Sequence, residues 1–203
     1  LTPGATQQFT AIAYDASNNT IPGATFAWTV VSSGGAISAS GLFTAGAVAG
    51  TYANTAQASA TVGGVTKVGT ASVTVVPGPL DRVAVTPASA SLAPGATQQF
   101  TATAYDASNN VLPGVSFTWA VVNGAGAINA SGLFTAGQVP GTYANVVQAS
   151  ATVGGVTRLG TASVAVLAPL STATGPIPVG ALRSLFNGLL HATGFDRFLG
   201  IEA

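Results

Sequence analysis

The stretch QQFTATAYDA (98–107) places Phe100, Ala102 and Ala104 on one side of an extended chain and Thr101, Thr103 and Tyr105 on the other. A period of two is the mark of a strand with one buried face. The same alternation runs through VSFTWAVV (115–122), where Phe117 and Trp119 share a face, and through VVQASATV (146–153) and GTASVAVL (160–167). Turn chemistry separates these runs. Asn110 is followed by Pro113 and Gly114, NGAG occupies 123–126, and Gly154 with Gly155 stands between two alternating runs as a tight hairpin should. Short strands at such spacing predict an all-β sandwich, and neither half of the pattern contains a helix.

The hexapeptide GLFTAG occurs at 41–46 and again at 132–137. Shifting the chain against itself by 91 aligns 1–76 with 92–167 without a gap, and about 56 of the 76 positions are identical. PGATQQFTA, AYDASNN and QASATVGGVT recur unchanged. Such identity indicates recent duplication within a longer array. The second copy is preceded by DRVAVTPASAS (81–91), which reads as an opening strand with a proline break. Nothing equivalent precedes Leu1, so the first copy is expected to lack its first strand.

The run VAVTPASASLAPGATQQFTATAYDASNNVLPGVSFTW, with the later GLFTAG and GTASVAV, resembles the bacterial immunoglobulin-like domains of the group-2 type. These are tandem modules of surface proteins of the invasin and intimin kind. The resemblance spans both repeats. It implies two tandem immunoglobulin-like β-sandwiches, with Trp28 and Trp119 buried at the same strand position. It also implies a spacer, stalk or interaction role, and brings no catalytic residues. The expected organisation is a sandwich lacking its first strand at 1–77 and a complete sandwich at 78–169. A Pro/Gly linker with a short amphipathic helix is expected at 170–203. In GLFTAG, Gly41 and Gly132 permit a turn, and the Leu and Phe that follow are expected to pin it to the core.

Charge changes the picture. Only 5 % of the 203 residues are charged, and the formal net charge is zero, against about 25 % charged in an average soluble domain. No basic face is available for nucleic acid. There are no cysteines, which excludes thiol catalysis and thiolate metal sites. No stretch reaches the length of apolar residues that a membrane-spanning helix needs.

Candidate chemistry is sparse. The single histidine, His191, lies in LLHAT, and neither repeat contains His or Glu, so a nucleophile–base–acid constellation has no material. YDASNN (14–19 and 105–110) is the one oxygen-rich cluster. Each copy has one carboxylate, Asp15 or Asp106, which suits an Asx-type turn better than a calcium loop with several carboxylates. Trp28 and Trp119 read as core rather than as sugar-stacking platforms. Two glycosylation sequons, at Asn18 and Asn129, look incidental, since Ser38 aligns with Asn129. No catalytic residue, cofactor or metal is expected.

The final segment, GPIPVGALRSLFNGLLHATGFDRFLGIEA, breaks the pattern. Pro176 and Pro178 disrupt strand pairing. Leu182, Leu185, Phe186, Leu189 and Leu190 then fall at helical spacing, and Phe195 and Phe198 extend the apolar content past Gly194. This stripe is the expected assembly interface, with a cap on the second sandwich as the plainer alternative.

The resulting expectation is a non-enzymatic, extracellular or cell-surface chain that self-associates into a bacterial filament, stalk or surface layer. The alternative is an adhesin or accessory binding module of a larger exported protein, in contact with a glycan or a host surface. Open sheet edges are normally protected by charge, above all by lysine, and Lys67 is the only lysine. Edges without charge call for cover by other modules or chains.

Overall fold

The computed structural model describes residues 1–169. Among them the chain is all-β, in several sheets and without a helix, consistent with a β-sandwich. The first repeat forms β1 (Thr6–Gln8), β2 (Ala27–Val30), β3 (Gly35–Ile37), β4 (Leu42–Ala45), β5 (Gly50–Val62) and β6 (Val65–Val75). The second begins with β7 (Arg82–Thr86) and β8 (Ser89–Leu92). It continues with β9 (Thr97–Gln99), β10 (Thr101–Tyr105), β11 (Thr118–Val121), β12 (Gly126–Ile128), β13 (Leu133–Ala136), β14 (Gly141–Val153) and β15 (Val156–Val166).

The long hairpins β5–β6 and β14–β15 organise each repeat. Their turns are Gly63 with Gly64 and Gly154 with Gly155, all at positive φ. Two successive left-handed residues make the turn whose twist matches that of the strands it joins. It pairs Val62 with Val65 and Val153 with Val156. Farther along, both hairpins slip register, between Tyr52 and Ala56 and between Tyr143 and Val147. Asn54 and Asn145 adopt left-handed backbone there. Each backbone N–H donates to a serine hydroxyl across the ladder, Ser72 or Ser163, at 3.0 and 3.1 Å.

In the second repeat, β11 pairs with β14, and β8 runs parallel to β15, giving the order β11-β14-β15-β8. Against its inner face lie the β10-β7 pair and the β12-β13-β9 sheet. The core between them holds Phe100, Phe134, Val146, Val147 and Val164, all fully buried. Phe100 and Phe134 meet edge to face with centroids 6.0 Å apart, the arrangement favoured by the ring quadrupole. A second, smaller cluster around Phe43, Val73 and Val75 serves the first repeat. There Phe9 meets Phe43 in the same way at 6.0 Å.

Three sequence expectations need correction. The run at 98–107 is two strands, because the Phe100 N–H leaves the sheet to donate to the Gly132 carbonyl at 2.8 Å. Trp28 and Trp119 occupy the same place in β2 and β11, as expected, but are half-buried. They lie on strands at the margin of the sheet, and the small core is filled by phenylalanines. In GLFTAG, Phe43 and Phe134 enter the core, whereas Leu42 and Leu133 are exposed. Alternation along β4 and β13 allows only one of the two neighbours inward.

Gly132 (φ +84) explains the conserved spelling of the hexapeptide between copies. A Cβ there would lie 2.4 Å from the Phe100 carbonyl oxygen and 3.0 Å from the Trp119 ring. Gly114 (φ +72) has open space instead. Gly132→Ala is therefore expected to cost about 3 kcal/mol, backbone strain plus clash, and Gly114→Ala about 1 kcal/mol, strain alone. Urea unfolding of the two variants separates these contributions; equal losses would remove the clash from the account.

Candidate functional site

The YDASNN loop of the second repeat makes the most concentrated polar constellation among the described residues. It starts as the local turn its sequence suggests. Asp106 Oδ1 accepts from the backbone N–H groups of Ser108 and Asn110 at 2.9 and 2.8 Å, and Asn109 supplies the left-handed residue. Tertiary contacts then extend it. Asp106 Oδ2 accepts from the Gly78 N–H at 2.7 Å and from Asn110 Nδ2 at 2.9 Å. The Asn110 amide reaches into the first repeat, where Nδ2 donates to the Ala47 carbonyl and Oδ1 accepts from the Ala49 N–H, both at 2.8 Å. One loop thereby ties together the second repeat, the connection at Gly78 and a loop of the first repeat.

Asp106 is only 2 % exposed. Burial pushes its carboxyl up, but the hydrogen bonds from Asn110, Gly78 and Ser108 outweigh burial and hold it below the ordinary value of 3.8. Nearby, the Arg82 guanidinium stands 3.9 Å over the Tyr105 ring and donates to Asn109 Oδ1 at 2.9 Å. Leu80 is buried beside it, and the Asp81 N–H donates to the Tyr105 carbonyl at 2.8 Å.

The copy in the first repeat has the same inner turn without the outer contacts. Asp15 accepts from the Ser17 N–H, the Asn19 N–H and Asn19 Nδ2 at 2.9, 2.8 and 3.0 Å, and all of these residues are exposed. The Asn19 side chain and then its backbone N–H hold the Asp15 carboxyl below its usual range, opposed by desolvation and aided by the Ser17 N–H.

The other candidates resolve into structure. Asn129 Oδ1 accepts from the N–H groups of Ser131 and Leu133, both at 3.0 Å, and so caps the turn before β13. Ser38 Oγ accepts from the Leu42 N–H at 3.1 Å in the first repeat, which is why Asn and Ser exchange there. Among the described residues, no three of His, Cys, Asp and Glu stand together, and no helix is long and apolar enough to cross a membrane. The stripe Leu182, Leu185, Phe186, Leu189, Leu190, Phe195 and Phe198, and His191 with it, lies outside the described residues. Sequence reasoning recognised the turn at Asp106 but missed the grip of Asn110 on the first repeat. A contact between loops 61 or more residues apart leaves no local pattern.

No protein-family model matches the chain, and no curated protein matches it. Among solved structures it is similar to domains 1–6 of the surface layer protein SbsC, with 21 % identity, 84 % of this chain and 24 % of that chain covered, and a TM-score of 0.36. It is similar to Yersinia pseudotuberculosis InvD, with 26 % identity over 82 % of this chain and 54 % of that chain, at a TM-score of 0.36. Mouse cadherin-23 EC22-24 is similar at 19 % identity over 82 % of this chain and 59 % of that chain, with a TM-score of 0.46. The chain thus spans about a quarter and about half of the first two structures it matches. All three matches have TM-scores below 0.5.

Two outcomes test the junction. Asp106→Asn is expected to destabilise the second repeat by about 2 kcal/mol at neutral pH, because a charged acceptor of several donors is lost. A carboxyl held low in the folded state stabilises above its unfolded value, and that stability fades as pH falls through the folded one. Acid melting below about pH 4 should therefore be steeper in the parent chain than in Asp106→Asn, by calorimetry across pH. Because the Asp15 and Asp106 carboxylates already accept from several amides, calcium is expected to leave the melting temperature unchanged. A rise of several degrees would show a bound ion instead.

Proposed function

We propose that this chain is a structural segment of an extracellular bacterial filament, stalk or surface layer. Its units are two immunoglobulin-like sandwich modules, 1–77 and 78–169. They self-associate through sandwich edges and through the tail residues Leu182, Leu185, Phe186, Leu189, Leu190, Phe195 and Phe198. The observation that carries this reading is the clamp at Asp106 and Asn110. A hinge between independent modules would leave its connection solvated. Here the connecting Gly78 N–H ends on a buried carboxylate, and the neighbouring loop of the first repeat is held by both ends of one amide. The Asp15–Asn19 turn presents the same inner geometry on an exposed surface, so the loop half of the joint is present on both repeats.

Surface chemistry agrees with a covered, assembled state. Val48 and Val139 are each 65 % exposed at matching loop positions, and only 5 % of the chain's residues are charged. The alternative, an adhesin or accessory binding module in contact with a glycan or host surface, expects loops that differ between copies. Here the YDASNN and Gly-Gly loops are identical in the two copies, whereas SSG (32–34) and AVA (47–49) become NGA (123–125) and QVP (138–140).

Negative-stain microscopy of the purified chain is expected to show filaments or sheets. Deleting 176–203 should abolish them and leave the β-type circular dichroism of the repeats intact. Filaments that persist after the deletion would make the tail a cap, and single particles at every concentration would favour the alternative.

A further inference from the structure

The buried apolar clusters of the two repeats have no residue in common. One draws on residues from Leu80 to Val166, the other on residues from Leu1 to Val75. Polar contacts of a single loop bridge them. Asn110 Nδ2 donates to the Ala47 carbonyl, Asn110 Oδ1 accepts from the Ala49 N–H, and the Gly78 N–H of the connection ends on Asp106 Oδ2. A Cβ added to Gly78 would stand 3.5 Å from that oxygen, so the connection lies directly on the carboxylate.

Asp106 accepts four hydrogen bonds, and every donor is an N–H. The Ser108 and Asn110 backbones bond to Oδ1, and the Gly78 backbone and the Asn110 amide bond to Oδ2. A protonated carboxyl is itself a donor. On either oxygen its O–H would face N–H groups, leaving buried donors without acceptors at their full desolvation cost. Asn110 bonds to both oxygens, so a proton on either one disturbs the residue that holds the first repeat. Turning the Asn110 amide over gives no remedy, since Oδ1 would then face the Ala47 carbonyl and Nδ2 the Ala49 N–H. A crevice of about 280 Å³, lined by Thr2, Pro3, Gly78, Asp81, Asp106 and Ser108 among others, brings solvent to the site as the source of the proton. The charged and titratable groups around Asp106 are few. Asp81 lines the same crevice, and its backbone carbonyl accepts from Arg158 Nε. The Arg82 guanidinium is engaged with the Tyr105 ring and with Asn109 Oδ1. Thr2, Pro3 and the loop at 47–49 bring no titratable side chain from the first repeat.

We propose that the joint between the repeats is a proton-sensitive latch, closed while Asp106 is ionised and released when it takes up a proton. In the closed state Asn110 holds the loop at Ala47 and Ala49, and the two repeats move together. In the released state each repeat keeps its own core, and the connection around Gly78 becomes the pivot. Burial works to raise the Asp106 pKa, but the donors of Asn110, Gly78 and Ser108 outweigh it and hold the carboxyl below 3.8. A carboxyl depressed in this way keeps the latch closed above its unfolded value. The latch is lost as pH falls through the folded one. The exposed Asp15 turn repeats the inner bonds, from Ser17 and Asn19, and provides an internal control.

The test uses the 203-residue chain, which has no cysteine of its own. Spin labels are placed on Ala53→Cys and Ala144→Cys, exposed positions in the first and second repeat, and the labelled chain is diluted into unlabelled chain. The distance distribution between the labels is expected to be narrow at pH 7 and at least twofold wider at pH 3. Circular dichroism of the β type and slow hydrogen exchange at the core amides of Phe100 and Val164 should be unchanged between the two. Asp106→Asn puts an amide donor where the proton would sit and should be wide at both pH values. Asn110→Ala should be wide at both as well, and Asp15→Asn should follow the parent chain. A distribution equally narrow at pH 7 and pH 3 would overturn the latch. So would widening that comes only with loss of core protection, since acid would then act on the fold and not on the joint. A narrow distribution in Asn110→Ala at pH 7 would remove the grip from this residue. These readouts do not depend on filament formation.

Discussion

Gly63 and Gly64 turn the chain with φ of +58 and +80°, and Gly154 and Gly155 do so with +57 and +79°. Strands β2, β11 and β8 are registered directly against the hairpins those turns close. A slip of one residue would exchange a hairpin's faces, sending Val147, Ala149 and Ala151 into solvent. The cost of such a slip is the whole apolar face, so the turn and the core specify the same pairing. With that hairpin in place, β11 finds β14, β8 finds β15, and β7 packs across Gly160.

The duplication works as an internal control on what a strand is. Residues 101–105 and 10–14 differ only by Thr103 against Ile12, and that substitution favours neither side strongly, since both are β-branched. One segment is a strand and the other is not. The difference is the partner, because a strand is defined by hydrogen bonds to a neighbour and not by its own propensity. Side chains follow. Ala151 is buried at 2 % and Gly160 is buried, while Ala60 is half-buried and Gly69 exposed. A few residues outside the repeat unit thus decide the burial of many within it.

The junction shows how a local turn acquires a longer reach. Asp106 would form its turn anywhere, but the approach of Gly78 and of the loop at Ala47 and Ala49 converts it into a buried, fully paired carboxylate. The matching loop of the second repeat is Gln138, Val139 and Pro140. Pro140 stands where Ala49 donates, and proline has no N–H to give. A further module seated on the second repeat in the same manner would lack that bond, so the two faces of this unit are not equivalent joints.

The alternation of two, the Gly-Gly turns and the 91-residue repeat were enough to determine two all-β repeats with their longest hairpins in register. The lone carboxylate in each YDASNN was enough to determine an Asx turn. These features are local, set by dihedral preferences and by the side-chain period of an extended backbone. Three others were decided in three dimensions. Phenylalanine rather than tryptophan fills the core, because strand position in the sheet, and not hydrophobicity, ranks the aromatics. Asn110 grips the first repeat, because a hydrogen bond between distant loops carries no sequence period. Residues 10–13 form no strand while their near-copy does, because backbone pairing is a property of two segments and no single segment encodes it.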